Sequence, residues 1–350
     1  MDGSMSRRDF LRTTAITGAA VLTSNFPKTS SWAEGVVNIP EAESITITVI
    51  TDNYASTQER NYKIAKRPAR MTSYLDNALH GEHGLAYQVE TVVGGQSHSC
   101  LYDFASDAQG VMRNMKLLKI DLSKVEALGV SHPHWDHCYA LMEILTTNKD
   151  KFRKGIPFYV GEQFFEGTYS KLPNGNVISL SALTRQDLEK LDLVRVVEVQ
   201  EPTAIIPGAY LPGKVERVTE YEQIPASSLT KKGDDFVQEM FPGEQAIFLN
   251  AKGKGLVVLS SCAHRGIVNT VKQAQRMTGL QKVYAVMGGF HLTGAKPEVI
   301  QKTVADIKTI NPDYIVPTHC TGHEAIALFE REMPDRFILN TAGTKYVITT

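Results

Sequence analysis

Between residues 131 and 137 the chain reads Ser131-His132-Pro133-His134-Trp135-Asp136-His137, so four side chains able to hold a metal fall within six residues. The mostly apolar run 125–130 precedes them, and Ala140, Leu141, Ile144 and Leu145 follow at helical spacing. A strand that ends in a ligand-rich turn and continues into a helix accounts for both patterns. Two histidines one residue apart point the same way from an extended turn, while Asp136 and His137 open the helix and aim at a neighbouring point. One metal ion, or two about 3.5–4 Å apart, can be served from this stretch. Chance is a poor account of such a pattern in a chain with ten histidines. A fold built on it must bring further donors to the same turn.

At 350 residues the chain can form two average domains or one large α/β domain with insertions. Its net charge of −1 offers no basic field, so nucleic acid is not an expected partner. The amino terminus differs in kind. Ser6-Arg7-Arg8-Asp9-Phe10-Leu11-Arg12 precedes a mildly apolar stretch, 15–22, and then Ser31-Trp32-Ala33, which has the small-x-small form of a processing site. This order resembles a twin-arginine export signal. Residues 1–33 are therefore expected to be a signal peptide whose partner is the twin-arginine export machinery, with 34–350 as the domain and a periplasmic or secreted location. The apolar stretch is shorter than the ~20 residues that span a bilayer, so no stable membrane anchor is expected. Cys138, Cys262 and Cys320 each lie within two residues of a candidate ligand histidine, where a disulfide would distort the turn. Packing thiols beside the metals are the expectation for all three.

Taken in order, the alternation of Ile45, Ile47 and Val49 marks a strand over 43–51 that ends at Asp52-Asn53-Tyr54. Residues 55–80 are polar and basic; Arg60, Lys63, Lys66, Arg67 and Arg70 form a solvated face from which one could bind a substrate anion. His83 lies on the loop before a hairpin, whose strands 87–93 and 99–104 flank Gly94-Gly95 and end with Asp103. A helix over 108–120, a strand over 156–160, a helix over 186–191 and a strand over 193–199 follow. Residues 201–242 hold five prolines and little periodicity, which predicts a loop-rich insertion draped over the core. Beyond a hairpin over 245–260, strand, histidine turn and helix recur, at Cys262-Ala263-His264, Gly288-Gly289-Phe290-His291 and Thr318-His319-Cys320. His137, His264, His291 and His319 thus sit at the same kind of edge on successive elements.

With these positions placed, the chain resembles the metallo-β-lactamase superfamily over nearly all of residues 34–350. The resemblance implies an α/β fold, the four-layer αββα sandwich. Five words look like those of the dihydropterin-ribofuranosylaminobenzene-phosphate-synthase-like branch. They are Thr51-Asp52-Asn53-Tyr54, Glu82-His83-Gly84-Leu85, Ser261-Cys262-Ala263-His264-Arg265-Gly266-Ile267-Val268-Asn269, Gly288-Gly289-Phe290-His291-Leu292 and Pro317-Thr318-His319-Cys320-Thr321-Gly322. By resemblance His132, His134 and His264 form one metal site, Asp136, His137 and His319 form the other, and Asp103 supports them from behind. Two divalent ions are implied, zinc by default for a histidine-rich set, with iron and manganese open. The family usually adds a bridging carboxylate after the next strand, yet no Asp or Glu occurs between Cys262 and Glu298. His291 is the one strong donor there, either a ligand or a pocket residue.

Two divalent ions, one ligating carboxylate and one hydroxide carry a formal charge of roughly +2, which favours anionic substrates. The resemblance therefore implies a metal-dependent hydrolase that directs metal-activated water at a small anionic ester such as a phosphodiester. Asp136 would orient the attacking water, and His291 or His83 would protonate the leaving group. Lactone or β-lactam hydrolysis and a mononuclear-iron sulfur dioxygenase are the alternatives on the same fold. A flavo-diiron enzyme is disfavoured, because that class places Glu where this chain has His134. A closed structural zinc site needs fewer donors than this chain supplies.

Overall fold

The computed structural model of the protein describes residues 36–56, 58–68 and 78–350. The export signal read at 1–33 and the candidate Arg70 lie outside the described residues. Period-two alternation is what builds the layers. In the strand Ser44–Thr51, Ile45, Ile47 and Val49 face one core and Ile50 faces another, so the strand is buried on both sides. It lies in an eight-stranded sheet ordered Val194–Val199, Ile156–Gly161, Ala127–Gly129, Gln96–Phe104, Ala86–Val93, Ser44–Thr51, Lys345–Thr349 and Ala65–Lys66. A seven-stranded sheet runs Thr203–Ile206, Ala209–Leu211, Ile247–Ala251, Gly255–Leu259, Val283–Gly289 and Tyr314–Thr318, with Glu41–Ala42 paired to Ile247–Ala251.

Three apolar clusters hold the layers together. Ile47, Val89 and Tyr102 from the first sheet meet Leu249, Val257 and Met287 from the second in the central core. The outer face of the first sheet packs on Val111, Met115, Leu141, Ile144 and Leu188 of the helices Ala108–Leu117, Leu141–Thr147 and Arg185–Leu191. The outer face of the second packs on Ile267, Val271, Ile300, Val304 and Phe329 of the helices Ile267–Thr278, Pro297–Ile310 and His323–Glu332. The result is the four-layer αββα sandwich. Within each sheet the strands that lead into the helices run parallel, so their carboxyl ends share an edge.

Two stretches differ from the sequence reading. Residues 201–242 are not only loops: Thr203–Ile206 and Ala209–Leu211 form the edge of the second sheet and put Ile205, Ile206 and Leu211 into the central core. Ser228–Lys232 and Asp235–Gln238 join Thr168–Lys171 and Val177–Ser179 in a separate four-stranded sheet. Strands this short, set between prolines, leave too few alternations to register as a period. The helix expected to reach residue 120 stops at Leu117, because Lys119 turns into the left-handed region at φ 59°. No helix of the described residues is long and apolar enough to cross a membrane.

Candidate metal centre

Asp103 ends its strand beside the histidine turn and anchors it. Its buried carboxylate accepts the Ser131 N–H at 2.7 Å and the Ser131 hydroxyl at 2.9 Å, and faces His137 Nδ1 at 2.7 Å. Ser131 Oγ in turn lies 2.8 Å from His132 Nδ1. On the opposite sheet, Glu244 takes the His264 N–H at 2.8 Å, His264 Nδ1 at 2.6 Å and the Arg265 N–H at 2.9 Å. Asn53 Oδ1 lies 3.2 Å from His319 Nδ1, and its neighbour Asp52 accepts from Thr318 and Asn340. Each of these imidazoles is thus held by its Nδ1, which fixes the ring and leaves Nε2 to project forward.

Those forward nitrogens converge. The donor atoms of His132, His134 and His264 all lie within 4.8 Å of one another, as the first expected site requires. Asp136 Oδ2 sits 3.2 Å from His319 Nε2, 3.6 Å from His137 Nε2 and 3.5 Å from His83 Nε2. Of the expected second set, Asp136 and His319 cluster with His83, whose ring stacks on His319 at 4.7 Å while its side chain stays 55% exposed at the mouth, whereas His137, 3.6 Å from Asp136, clusters with His132 and Cys262. The sequence reading gave His83 a proton-transfer role; the structure places it at ligand range as well. His291 packs its ring 4.2 Å from that of His264 and lies with Cys262 and His264 rather than beside Asp136. Among the described residues, Nε2 of His132, His264 and His319 and Nδ1 of His291 are buried without a hydrogen-bond partner. Buried imidazole nitrogens left in that state are costly unless a cation takes their lone pairs, so the donor set fits a metal.

The electrostatics agree with that fit. Burial, reinforced by neighbouring imidazoles, pushes the His132, His134 and His264 pKa values well down, so they are neutral donors. Burial would lower His137 too, but the Asp136 and Asp103 carboxylates outweigh it and its pKa is pushed up to about 9. Burial likewise works to raise Asp136, and His137 and His319 overcome it and hold the carboxyl far below its usual range. Burial raises Glu244 against the hydrogen bonds that it accepts from Arg265 and His264. Asp103, Ala263, His291 and His319 all adopt left-handed backbone, at φ 58°, 51°, 49° and 51°. For residues with a side chain this costs roughly 1–2 kcal/mol each, and such strain collects at functional sites.

The sequence reading missed Glu244, which follows the proline-rich stretch with no pattern to mark it, and Phe241, whose ring stacks on His264 at 4.0 Å and 8°. Gly161 and Gly243 make that approach possible. A Cβ on Gly161 would overlap the Gly243 carbonyl, so two backbones cross where Glu244 slides behind His264. Of the basic residues 60–70 read as anion binders, Arg67 is committed elsewhere, to Thr341, Thr344 and the Leu339 carbonyl. All four cysteines are free and buried.

An αββα sandwich with this histidine turn at the strand ends defines a metallo-β-lactamase-fold protein, and the chain is one. No protein-family model matches it. Within that class it resembles the 7,8-dihydropterin-6-methyl-4-(beta-D-ribofuranosyl)-aminobenzene-5'-phosphate synthase of Methanocaldococcus jannaschii, at 28% identity over 312 residues, 88% of this chain and 98% of that one. An uncharacterized protein of the same organism is 25% identical over 245 residues, 70% of this chain and 86% of its own. The solved structure of Tm1679, described as a metal-dependent hydrolase of the beta-lactamase superfamily, matches with a TM-score of 0.67 and 22% identity, over 86% of this chain and 98% of that one.

Proposed function

We propose that the protein is a metal-dependent hydrolase that directs metal-activated water at a small anionic ester, a phosphodiester in the first instance. The observation that carries this reading is the meeting of four buried, unpartnered imidazole nitrogens at a cluster whose one carboxylate at ligand range is Asp136. When bound, a divalent pair would supply an activated water and stabilise charge developing on oxygen. Asp136 faces three imidazoles through Oδ2 and is placed to orient the attacking water. His83, part exposed at the mouth, is placed to hand a proton to a departing alcohol. Arg265 spends its guanidinium on the Val215 and Met240 carbonyls, and Arg67 is committed elsewhere, so neither is placed to clamp an anion.

A synthase-type transfer on a phosphorylated substrate is the second reading. It is favoured by the end-to-end similarity to the archaeal synthase, whose name specifies a 5'-phosphate, and by Trp135, which is exposed beside His83 where a flat ring could lie. The decisive experiment measures metal per chain on protein purified without added metal. The same sample is then offered phosphodiesters, lactones, β-lactams, a persulfide with oxygen uptake, and a 7,8-dihydropterin with an aminobenzene ribose phosphate. Phosphodiester turnover supports the first reading; consumption of the pterin alone replaces it with the second. His134→Ala and Asp136→Ala should each abolish turnover with the fold intact, and a near-normal rate in either overturns the mechanism. The order of residues 6–33 further supports export, which cell fractionation of the full chain tests directly.

A further inference from the structure

The donor cluster has one carboxylate, Asp136, and one sulfur lies at its middle. Cys262 Sγ is within 4.8 Å of the donor atoms of His132 and His137, of His264 and His291, and of His319 and Cys320. Its contact with His137 Nε2 is 3.2 Å. No other donor among the described residues recurs in as many of these clusters, and Cys262 alone joins the His132–His264 side to the His319 side. The local chain explains how. The strand Gly255–Leu259 ends just before, and the left-handed turn at Ala263 brings Cys262 and His264 into the same cleft. Cys320 Sγ sits 3.3 Å from Cys262 Sγ, in a space kept open by Gly289, where a Cβ would meet the Cys320 sulfur. His132, His264, His291 and His319, each with a buried nitrogen that has no hydrogen-bond partner, all belong to clusters that include this sulfur, an independent sign of a cation site.

We propose that the Cys262 thiolate is a further ligand of the metal centre, placed between the His132 and His264 donors on one side and the His319 donor on the other. This rests on reading the cluster as a metal centre. On loading, the S–H bond breaks, its proton leaves to solvent and sulfur–metal bonds form. Cys320 Sγ, 3.3 Å away, is the neighbouring thiol against which this assignment is tested. A thiolate among imidazoles selects zinc, iron or cobalt over magnesium or calcium. It also lowers the formal charge of the core from roughly +2 to roughly +1, which still favours an anion but a less highly charged one.

The test is spectroscopic and independent of turnover. Cobalt(II)-loaded full chain should show thiolate-to-cobalt charge-transfer absorption in the near ultraviolet. The band should persist in Cys320→Ser and vanish in Cys262→Ser while cobalt stays bound. X-ray absorption of the unmutated zinc protein, which needs no variant to fold, should show a sulfur neighbour at about 2.3 Å. The proposal is overturned if metal is bound with no sulfur neighbour and no charge-transfer band, or if the band survives in Cys262→Ser and is lost in Cys320→Ser. A protein that binds neither cobalt nor zinc removes the metal-centre reading as well, which distinguishes the two failures.

Discussion

Glu244 is the residue through which the centre can be weakened without touching a ligand. Its carboxylate is buried and accepts three donors, the backbone N–H groups of His264 and Arg265 and the Nδ1 of His264, at 2.8, 2.9 and 2.6 Å. Glu244→Ala leaves all three without an acceptor. At roughly 1–3 kcal/mol for each buried donor so stranded, the three sum to about 3–9 kcal/mol, so the fold should lose at least about 3 kcal/mol, at the upper end for one substitution. Glu244→Gln is the sharper test because it keeps the shape and one acceptor oxygen. It removes the charge that orients His264 and raises the basicity of its forward nitrogen, so metal affinity should fall about 10–100-fold, or roughly 1.4–2.7 kcal/mol. Chelator competition gives that number directly. Denaturant unfolding with and without zinc gives it again, since the stabilisation contributed by the metal should shrink by the same amount. An unchanged affinity in a folded Glu244→Gln protein would refute the claim that His264 is a ligand held from behind.

Three further outcomes follow from the same geometry. Asp103→Asn tolerates the left-handed backbone at φ 58° but loses the charge facing His137 and, through Ser131, supporting His132, so metal should bind the centre about tenfold or more weakly; unchanged affinity in the folded variant contradicts the supporting role of Asp103. Arg67→Ala should cost about 1–3 kcal/mol in denaturant unfolding, through its lost bonds to Thr341 and Thr344, with KM for an anionic substrate unchanged; a raised KM at full stability would return Arg67 to the anion site. In the metal-free protein His137 has its pKa raised from 6.5 to about 9, so its contribution to stability is fully present below pH 6.5 and lost as the pH climbs through 9. Melting curves of the apo protein should therefore decline across that window while those of the zinc-loaded protein do not, and parallel curves would dispose of the assignment.

The sequence was most legible where periodicity and chemistry coincide. Ile45, Ile47 and Val49 alternate over a strand long enough to show it, and each recurrence of strand, histidine turn and helix lies on parallel strands whose carboxyl ends share an edge. Tyr346 and Ile348 alternate in the same way in Lys345–Thr349, a strand that the sequence reading passed over although its signal was present. Thr203–Ile206 and Ala209–Leu211 were not legible, because four and three residues between prolines cannot establish a period. Neither was the position of Glu244, which is set by the close crossing of Gly161 and Gly243, a contact between residues far apart in the chain. Local pattern identified the donors; only tertiary structure could say which residues stand behind them.

What stands behind them explains why a cation belongs at this edge. Asp103 backs His137, Glu244 backs His264, and Asp52 lies close enough to His319 for the two to interact, while Asp136 faces the cluster from the front. All four carboxylates are buried. Burying anions without compensation costs several kcal/mol apiece, and three of the first-site histidines, His132, His134 and His264, are pushed toward neutrality and cannot repay it. The fold has therefore set buried carboxylates around imidazoles of which His132, His134 and His264 are pushed toward neutrality while His137 is raised by Asp136 and Asp103, and positive charge at the centre would complete the compensation. The strained backbone at Asp103, Ala263, His291 and His319 marks the same edge, since four such residues persist only where tightly packed surroundings hold them in place.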